Sequence, residues 1–324
     1  MRPGVSVIIP NWNGAALLEA LLASLQAQEG IGEVIVVDNG SSDNSVAIGR
    51  QAGARVIELR SNAGFAAAVN RGIREATGEW LAILNNDVEL GPGWLATLVD
   101  AAIAAGAWFA CGKLLDRSRP DLIDGTYDLI CAGGTAWRCG AGRPDQPLWN
   151  RERPIQLTPF TALVVRKELF DRIGLLEDGF ESYLEDVEFG IRCAIHGLNG
   201  IYVPSAVGYH RGSATLGRWH PETVRRISRN QVLLVARHYP DGWMRRWGWK
   251  VFVAQGLWGL VALRHGAGWA WFVGKVQGLR GLRGFRGPGT KALFAILEQS
   301  ESEIRELQRH TGQDLYWKLY FTLT

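Results

Sequence analysis

The chain has 324 residues, of which 47% are hydrophobic and 21% are charged, and this balance excludes an extended disordered protein. Its length allows one large domain or two smaller ones. The four cysteines form no C-x-x-C pair, which disfavours a zinc cluster or redox motif and is typical of a reducing, cytosolic setting. The first apolar run, VSVIIP, is too short for a signal peptide and predicts a strand.

The net charge of +3 conceals an uneven distribution along the chain. Residues 211–291 contain fifteen Lys and Arg against two acids, Glu222 and Asp241, so this segment carries +13 and the rest of the chain −10. The same segment contains seven of the fourteen tryptophans. This change in composition indicates a separate task for the C-terminal part.

The first half of the chain alternates strand and helix patterns. Four strands are predicted at VSVIIP, EVIVVD, ARVIELR and EWLAILN, and helices are predicted between them at GAALLEALLASLQAQ, SVAIGRQAG and AAAVNRGIREATG. Strands separated by single helices form right-handed crossovers. We therefore predict an α/β fold with a mainly parallel sheet.

The pattern is looser between about residues 91 and 155, where Gly, Pro and Asp predict loops and short strands. Beyond it, FTALVVRKELFDRIG predicts a strand and a helix, EDVEFGIRCAIHG a second helix, and GIYVPSAVGYH a final strand. After residue 211 the chain is predicted to be helical, basic and rich in Trp. It closes with an amphipathic helix at LFAILEQSESEIRELQRH, either a lid or an oligomer contact.

Polar residues follow each of the four predicted strands, at PNWNG, DNGSSDNS, RSNAGF and NND. One such cluster alone predicts a turn. Four in succession at the carboxyl edge of a parallel sheet are typical of a ligand site. The chain has no G-x-G-x-x-G or P-loop motif, so a bound diphosphate would need another counter-charge. A divalent metal on Asp87, the acid of NND, would provide it.

The ordered series VSVIIPNWNG, EVIVVDNGSSDNS, NAGFAAAVNRGI, LNNDVEL, ESYLEDVEFGIRC and VPSAVGYH resembles glycosyltransferase family 2, in particular its bacterial rhamnosyltransferases and related cell-surface glycan enzymes. The resemblance covers about Val5 to His210. It implies a GT-A fold in residues 1–212, with a nucleotide-sugar half over about 1–110 and an acceptor half over about 111–212. Residues 213–324 form the helical, basic, Trp-rich C-terminal region. The implied reaction is an inverting transfer from a nucleoside-diphosphate sugar.

The resemblance also implies a role for each matched position. Asp186 would be the catalytic base, and Glu185 would lie beside it on the acceptor side. Asp87 and His210 would bind Mn²⁺ or Mg²⁺. Among the donor contacts, Asp38 would bond the base edge. The full set implied for the donor is Pro10, Asn11, Asn13, Asp38, Asn39, Asn62, Gly64, Phe65, Arg71, Asn85 and Asn86.

Two departures from the family pattern are visible. Asn85 stands where the D-x-D motif has its first acid, and LLEDGFESYLED replaces the usual FDE before the base. Taken singly, acids at a helix start are also favoured by the helix dipole, and an Asp after a strand also favours a turn or helix cap. The functional interpretation therefore depends on the whole ordered set.

The resemblance implies a donor such as dTDP-rhamnose or a UDP-sugar, and a lipid-linked or polysaccharide acceptor in cell-envelope glycan synthesis. One alternative is a nucleotidyltransferase, but PNWNG lacks the Gly-rich basic loop that holds a triphosphate. The other is a non-catalytic membrane-associated scaffold with the same fold. Against that alternative, Asp87, Asp186 and His210 are all present.

Residues 243–286 are predicted to contact a membrane surface. The apolar run Val251–Leu263 is too short to cross a bilayer, but Trp and Arg together suit the headgroup region. We therefore expect a cytoplasmic enzyme, peripheral on the inner face of the cell membrane. A helical subdomain that buries its tryptophans, or a homo-oligomer interface, is the alternative. Nucleic-acid binding is not expected, because nothing upstream resembles such a module.

Overall fold

The computed structural model describes residues 4–212, 217 and 219–324. The chain forms two compact units: Met1–Tyr127 with Cys139–Thr215, and Asp128–Arg138 with Leu216–Thr324. In chain order the elements are β1 (Val5–Asn11), α1 (Ala15–Leu25), β2 (Ile31–Asp38), α2 (Ser45–Gln51), β3 (Arg55–Glu58), α3 (Phe65–Glu75), β4 (Trp80–Leu84), β5 (Val88–Leu90), α4 (Trp94–Ala104), β6 (Phe109–Asp116), β7 (Ile123–Gly125), β8 (Asp128–Ile130), β9 (Ala136–Arg138), β10 (Arg153–Ile155), β11 (Ala162–Arg166), α5 (Glu168–Ile173), α6 (Glu185–Ile195), β12 (Gly200–His210), α7 (Pro221–His238), α8 (Trp243–Arg264), α9 (Gly268–Phe285), α10 (Ala292–Thr311) and α11 (Leu315–Leu323).

A ten-stranded sheet forms the centre of the first unit, in the order β10-β12-β6-β11-β4-β1-β2-β3, with β5 paired to β12 and β7 to β6. The four strands predicted in the first half are parallel neighbours. β11 is inserted antiparallel between β4 and β6, so β6 and its parallel neighbour β12 run in the same direction as β1. The predicted α/β fold with a mainly parallel sheet is confirmed.

Both faces of this sheet are covered, as expected for parallel strands. Every residue of β1 and β4 is buried, which explains their continuous apolar runs. On one face, Val7 packs into a cluster with Leu18 of α1 and Leu95 of α4. On the other face Ile8 meets α3 at Gly72, where a Cβ atom would lie 2.3 Å from the Ile8 side chain. Close approach of α3 to the sheet therefore requires glycine there.

The region around residues 91–155 is more regular than predicted. It contains the 11-residue helix α4 and the 8-residue strand β6 besides the expected loops and short strands. Trp94, Leu98 and Ala102 of α4 are buried. The helix was missed because WLATLVDAAIA is apolar at most positions, which erases the 3.6-residue periodicity on which its recognition depends.

The second unit consists of α7–α11 and the hairpin β8–β9. Polar bonds hold the hairpin to the helices: Ile130 N donates to Ser300 Oγ (2.9 Å), Ala132 N to Glu301 Oε2 (2.9 Å), and the Tyr239 hydroxyl to Ala132 O (2.9 Å). The predicted helical C-terminal region is confirmed. Within the described part of the chain, no helix combines the length and apolar character that a membrane crossing requires.

Candidate active site

The ends of three strands meet through a chain of buried amides. Asn11 and Asp38 are register partners at the ends of β1 and β2, and Asn39 N donates to Asn11 O at 2.7 Å. The Asn11 amide donates to Asp38 Oδ1 (3.4 Å) and accepts from Asn86 Nδ2 (2.7 Å). Pro10, the residue before Asn11, is buried within β1. The structure therefore brings these predicted donor residues together at one edge.

The two loops that follow β1 and β2 brace each other. Asn13 has a φ of 48° and accepts from Ser42 N at 2.8 Å, while its own N–H donates to Ser41 Oγ at 2.8 Å. Ser41 N donates to Asp38 Oδ2 at 2.9 Å. Asn and Asp tolerate left-handed backbone and bond locally, which is why this sequence forms such loops. Asn13 therefore ties the loop after β1 to the loop after β2.

Asn39 connects the end of β2 to the start of α3. Its amide donates to Asn62 Oδ1 (3.1 Å) and Gly64 O (3.0 Å), and its Oδ1 accepts from Ala63 N (2.8 Å). Gly64 has a φ of 92°, and a Cβ atom there would lie 2.7 Å from Glu181 O. Both the backbone conformation and the close approach of Glu181 require glycine.

The first turn of α3 holds the segment that leads into α6. Phe65 N donates to Ser182 Oγ at 3.1 Å, and Ala66 N donates to Glu181 O at 3.0 Å. In this segment Glu181, Tyr183 and Leu184 have φ values of 60°, 71° and 68°. Non-glycine residues in this region are strained, and such strain persists only where the surroundings enforce it. The start of α3 supplies part of that enforcement.

Asn70 of α3 is a positioning residue that sequence reasoning missed. It is 1% exposed; its amide donates to Leu176 O (2.8 Å) and Asp178 Oδ1 (2.6 Å), and its Oδ1 accepts from Leu176 N (3.0 Å). An amide within an otherwise apolar helix face was the available signal. The next residue, the predicted donor contact Arg71, is exposed and pairs with Glu75 at 2.9 Å. The structure does not bring Arg71 to the amide cluster.

The predicted base and its neighbour lie at the first two positions of α6. Glu185 is 6% exposed, and its Oε2 has no hydrogen-bond partner among the described residues. Burial raises the pKa of Glu185 well above its usual range, and the charge of Asp186 raises it further. Asp186 Oδ1 accepts from Val187 N at 2.8 Å. Burial and the neighbouring charge therefore both favour the neutral form of Glu185, and carboxyl groups in unequal environments suit acid–base chemistry.

His210, at the end of β12, bridges two carboxylates. Its Nε2 lies 3.1 Å from Asp87 Oδ1 and its Nδ1 lies 2.7 Å from Asp124 Oδ2. Burial alone would lower the pKa of His210, but the hydrogen bonds to Asp124 and Asp87 outweigh it and raise that pKa to about 9. The structure brings Asp87 and His210 together as predicted. Asp124 was missed, because IDGT has the local pattern of a turn.

The region that contains these strand ends matches a known protein family. The model of Glycosyl transferase family 2 matches residues 6–173, just over half of the chain. The chain belongs to glycosyltransferase family 2. The match includes β1 to β4, whose ends carry the amide cluster, together with the predicted metal ligand Asp87.

Relatives of this family 2 chain act in glycan biosynthesis. It is 28% identical over 277 residues to the N-acetylglucosaminyl-diphospho-decaprenol L-rhamnosyltransferase of Mycobacterium tuberculosis, covering 76% of this chain and 89% of the relative. It is 33% identical over 197 residues to a PGL/p-HBAD biosynthesis glycosyltransferase of Mycobacterium bovis, covering 59% and 70%. The chain is thus a family 2 glycosyltransferase homologous to a rhamnosyltransferase.

Two solved structures share the GT-A fold. GalNAc-T7 with UDP, GalNAc and Mn²⁺ matches with a TM-score of 0.64 and 15% identity, covering 95% of this chain and 58% of that one. The mannosyltransferase PcManGT from Pyrobaculum calidifontis, with GDP-Man and Mn²⁺, matches with a TM-score of 0.54 and 17% identity, covering 99% and 87%. At these identities the likeness establishes the fold.

Asp87, which follows β4, and His210, at the end of β12, carry atoms of the kind that bind divalent cations. Asp87 Oδ1 and His210 Nε2 lie 3.1 Å apart, and Asp124 engages the other ring nitrogen, the arrangement that orients a ligating histidine. Asn85 Oδ1 is buried without a hydrogen-bond partner in the described part of the chain, and amide oxygens also suit hard cations. Asp124 and Asp87 contact opposite sides of the ring, which leaves Asp87 and His210 as the two candidate ligands; the described residues contain no group of three or more His, Cys, Asp or Glu that could hold a metal ion.

Proposed function

We propose that this family 2 enzyme transfers a sugar, with inversion, from a nucleoside-diphosphate donor to a hydroxyl of a lipid-linked or polysaccharide acceptor in cell-envelope glycan synthesis. The observation that carries the proposal is the position of α3. Its start is bonded through Asn39 to the amide cluster, and its first N–H groups hold the segment before Asp186. The start of α3 therefore holds both the donor site and the segment that carries the base. Residues 1–212 form the proposed transferase domain.

On the donor side, Asp38 and the neighbouring amides face the nucleotide. Asp38 accepts a hydrogen bond from the edge of the base. Asn11 and Asn86 bind sugar or phosphate oxygens, and Asn62 with Gly64 closes over the nucleoside. Asn39, Asn13 and Phe65 support this arrangement through the bonds of the two loops and the start of α3. Asn85, whose Oδ1 has no hydrogen-bond partner among the described residues, completes the phosphate side.

The chemical step is one in-line displacement at the anomeric carbon. Asp186 accepts the proton of the acceptor hydroxyl as its oxygen bonds to that carbon, and the bond from the carbon to the diphosphate oxygen breaks on the opposite face. Glu185, whose neutral form is favoured by burial because its pKa is raised, would donate a hydrogen bond on the acceptor side. Asp87 and His210 would hold the Mn²⁺ or Mg²⁺, which would supply counter-charge for the departing diphosphate.

Substrate choice and location follow from the relatives as proposals. The mycobacterial relative is named as a rhamnosyltransferase on a diphospho-decaprenol acceptor. We infer dTDP-rhamnose as the first donor to test, a UDP-sugar as the second, and a polyprenyl-diphosphate-linked sugar as acceptor. An enzyme for such an acceptor works at the membrane, so we place it peripherally on the cytoplasmic face, in contact through residues 243–286.

The experiment is a donor panel with product analysis. Thermal shifts with dTDP, UDP, GDP and CDP, with and without Mn²⁺, select the nucleotide, because ligands that bind only the folded state raise its stability. Turnover of the matching sugar donor should release nucleoside diphosphate. Release of pyrophosphate from a nucleoside triphosphate would instead identify a nucleotidyltransferase.

The base assignment is tested separately. Asp186→Asn should lower kcat by about 10²- to 10⁴-fold, the usual contribution of a general base, with donor binding retained. The exposed Asp171 provides the matched control, since Asp171→Asn changes the same chemistry away from the site. Full activity in Asp186→Asn would show that another group takes the proton.

A further inference from the structure

One face of α8 exposes large apolar side chains along most of its length. Trp249, Phe252, Leu260 and Leu263 are 60–69% exposed. With Gly256, also exposed, they follow the spacing 249, 252, 256, 260 and 263, which places them on one side of a helix. Helices of a protein in water normally turn such a stripe inward, whereas this stripe stays mostly exposed among the residues that the structure describes.

Two neighbouring helices contact the two ends of the stripe and carry exposed apolar side chains of their own. Trp249 Nε1 donates to Leu323 O at 2.8 Å, which joins α8 to α11. At the other end, a Cβ atom on Gly268 would lie 2.9 Å from Leu263 Cδ1, which joins α8 to the start of α9. We define the apolar face as the exposed side chains Trp249, Phe252, Leu260, Leu263, Trp269, Phe272, Leu279, Leu315, Leu319 and Leu323.

The tryptophans of this region divide into two sets. Trp247 is 1% exposed, and Trp219 and Trp258 stack with ring centroids 5.9 Å apart inside the unit. Trp249 and Trp269 are instead 60% and 75% exposed. Burial of tryptophans in a helical subdomain, one of the sequence-based alternatives, thus accounts for the first set only. The second set is available to a partner.

The segment that forms α8 and α9 carries only positive charges, whereas Asp314 precedes α11 and Glu298 of α10 pairs with Arg246 at 2.7 Å. From Trp243 to Lys291 there are nine Lys and Arg and no acid. Arg245 and Arg264 are exposed near the two ends of the α8 stripe, and Arg280 and Arg283 are exposed on α9. Large apolar patches edged by cations match a bilayer whose headgroups are anionic, since each basic group near such a surface adds attraction.

We propose that the apolar face of α8, α9 and α11 docks on a lipid bilayer containing anionic headgroups. Aromatic and leucine side chains enter the headgroup boundary while the arginines meet lipid phosphates. A second copy of this chain would cover the same face, but a two-fold pairing sets this acid-free segment against itself, so like charges would meet. The docking surface and the lipid class go beyond the proposed function. They rest on it only in that the proposed acceptor is linked to a membrane lipid.

The test measures binding of the full chain to sedimented vesicles of phosphatidylcholine, with and without phosphatidylglycerol. We expect binding that requires phosphatidylglycerol and weakens with salt. Phe252→Ser with Leu260→Ser should lower partitioning by about tenfold or more, given the transfer energy of two large apolar side chains. Ile103→Ser, an exposed apolar side chain of the first unit, is the matched control and should change nothing.

A second variant, Arg280→Glu with Arg283→Glu, leaves the apolar face intact and should remove the preference for phosphatidylglycerol. Absence of binding to anionic vesicles at low salt would overturn the proposal. A dimer in light scattering would also overturn it, if Phe252→Ser with Leu260→Ser converts that dimer to a monomer and leaves vesicle binding unchanged. Turnover of a water-soluble acceptor tests the proposed function independently, since it does not require the membrane.

Discussion

Replacing Asn70 with alanine should destabilise the first unit and slow transfer, although Asn70 touches neither predicted substrate. The side chain is buried in α3 and makes three hydrogen bonds to the segment that precedes the predicted base. Alanine keeps the helix, because it has the best helix propensity. The perturbation is therefore confined to the lost polar contacts.

The magnitude follows from the groups left behind. Leu176 is 3% exposed, and its N–H and C=O would both lose their partner. Each buried polar group left unsatisfied costs about 1–3 kcal/mol, so the free energy of unfolding should fall by about 2–4 kcal/mol. Urea unfolding measures this, with the exposed Asn199→Ala as control, expected to be within about 0.5 kcal/mol of the parent chain.

The kinetic consequence separates a positioning role from a purely structural one. If Asn70 holds the segment before Asp186, its loss misplaces the base, and kcat should fall by about tenfold or more while the KM for the donor changes little. The assay is steady-state release of nucleoside diphosphate under conditions where the variant is folded. A stable Asn70→Ala enzyme with parental kcat would refute the reasoning.

Three further predictions address the metal site, the α3 start and the C-terminal unit. Asp124→Asn should weaken Mn²⁺ binding by about 10- to 100-fold in thermal-shift titrations, whereas exposed Asp121→Asn should not. Gly64→Ala should lower the free energy of unfolding in urea more than Gly53→Ala does. Both glycines have a positive φ, but of the two only Gly64 would bring a Cβ atom against backbone, at 2.7 Å. Equal losses for the two variants would contradict this close approach. Burial lowers the pKa of Lys275 from 10.5 to about 7. Between these two pKa values the unfolded chain binds more protons than the folded chain, so the free energy of unfolding should rise with pH. Lys275→Met should abolish that rise.

The sheet was predictable because its signals are local. Continuous apolar runs separated by helical segments predict parallel strands, and chain geometry then requires their carboxyl ends to share an edge. The polar clusters that contain Asn11, Asp38, Asn62 and Asp87 were therefore placed along one edge from order alone, and the resemblance implied the role of each residue. The resemblance to family 2 rested on this same order. Helix α4 escaped notice because a helix that is apolar on most sides lacks the periodic signal.

The exposed tryptophans show the limit of composition. The sequence predicts a basic, aromatic region and leaves membrane contact, burial and self-association open. The structure buries Trp247 and exposes Trp249, two residues along the same helix, because positions two apart point in nearly opposite directions. That division depends on which helix packs on which side.

Sequence by itself determined the α/β class, the strand ends that carry polar groups and the charge of the C-terminal region, since each depends on residue type and spacing. Only the tertiary structure decided that Asp124 lies on His210, that Asn70 holds the segment before Asp186, and that Arg71 turns to Glu75 instead of the donor side. The first two contacts join residues from different loops and helices, and their partners are chosen by packing, which no local pattern encodes; Arg71 and Glu75 are i,i+4 neighbours on α3, and the structure shows that Arg71 makes this local pair.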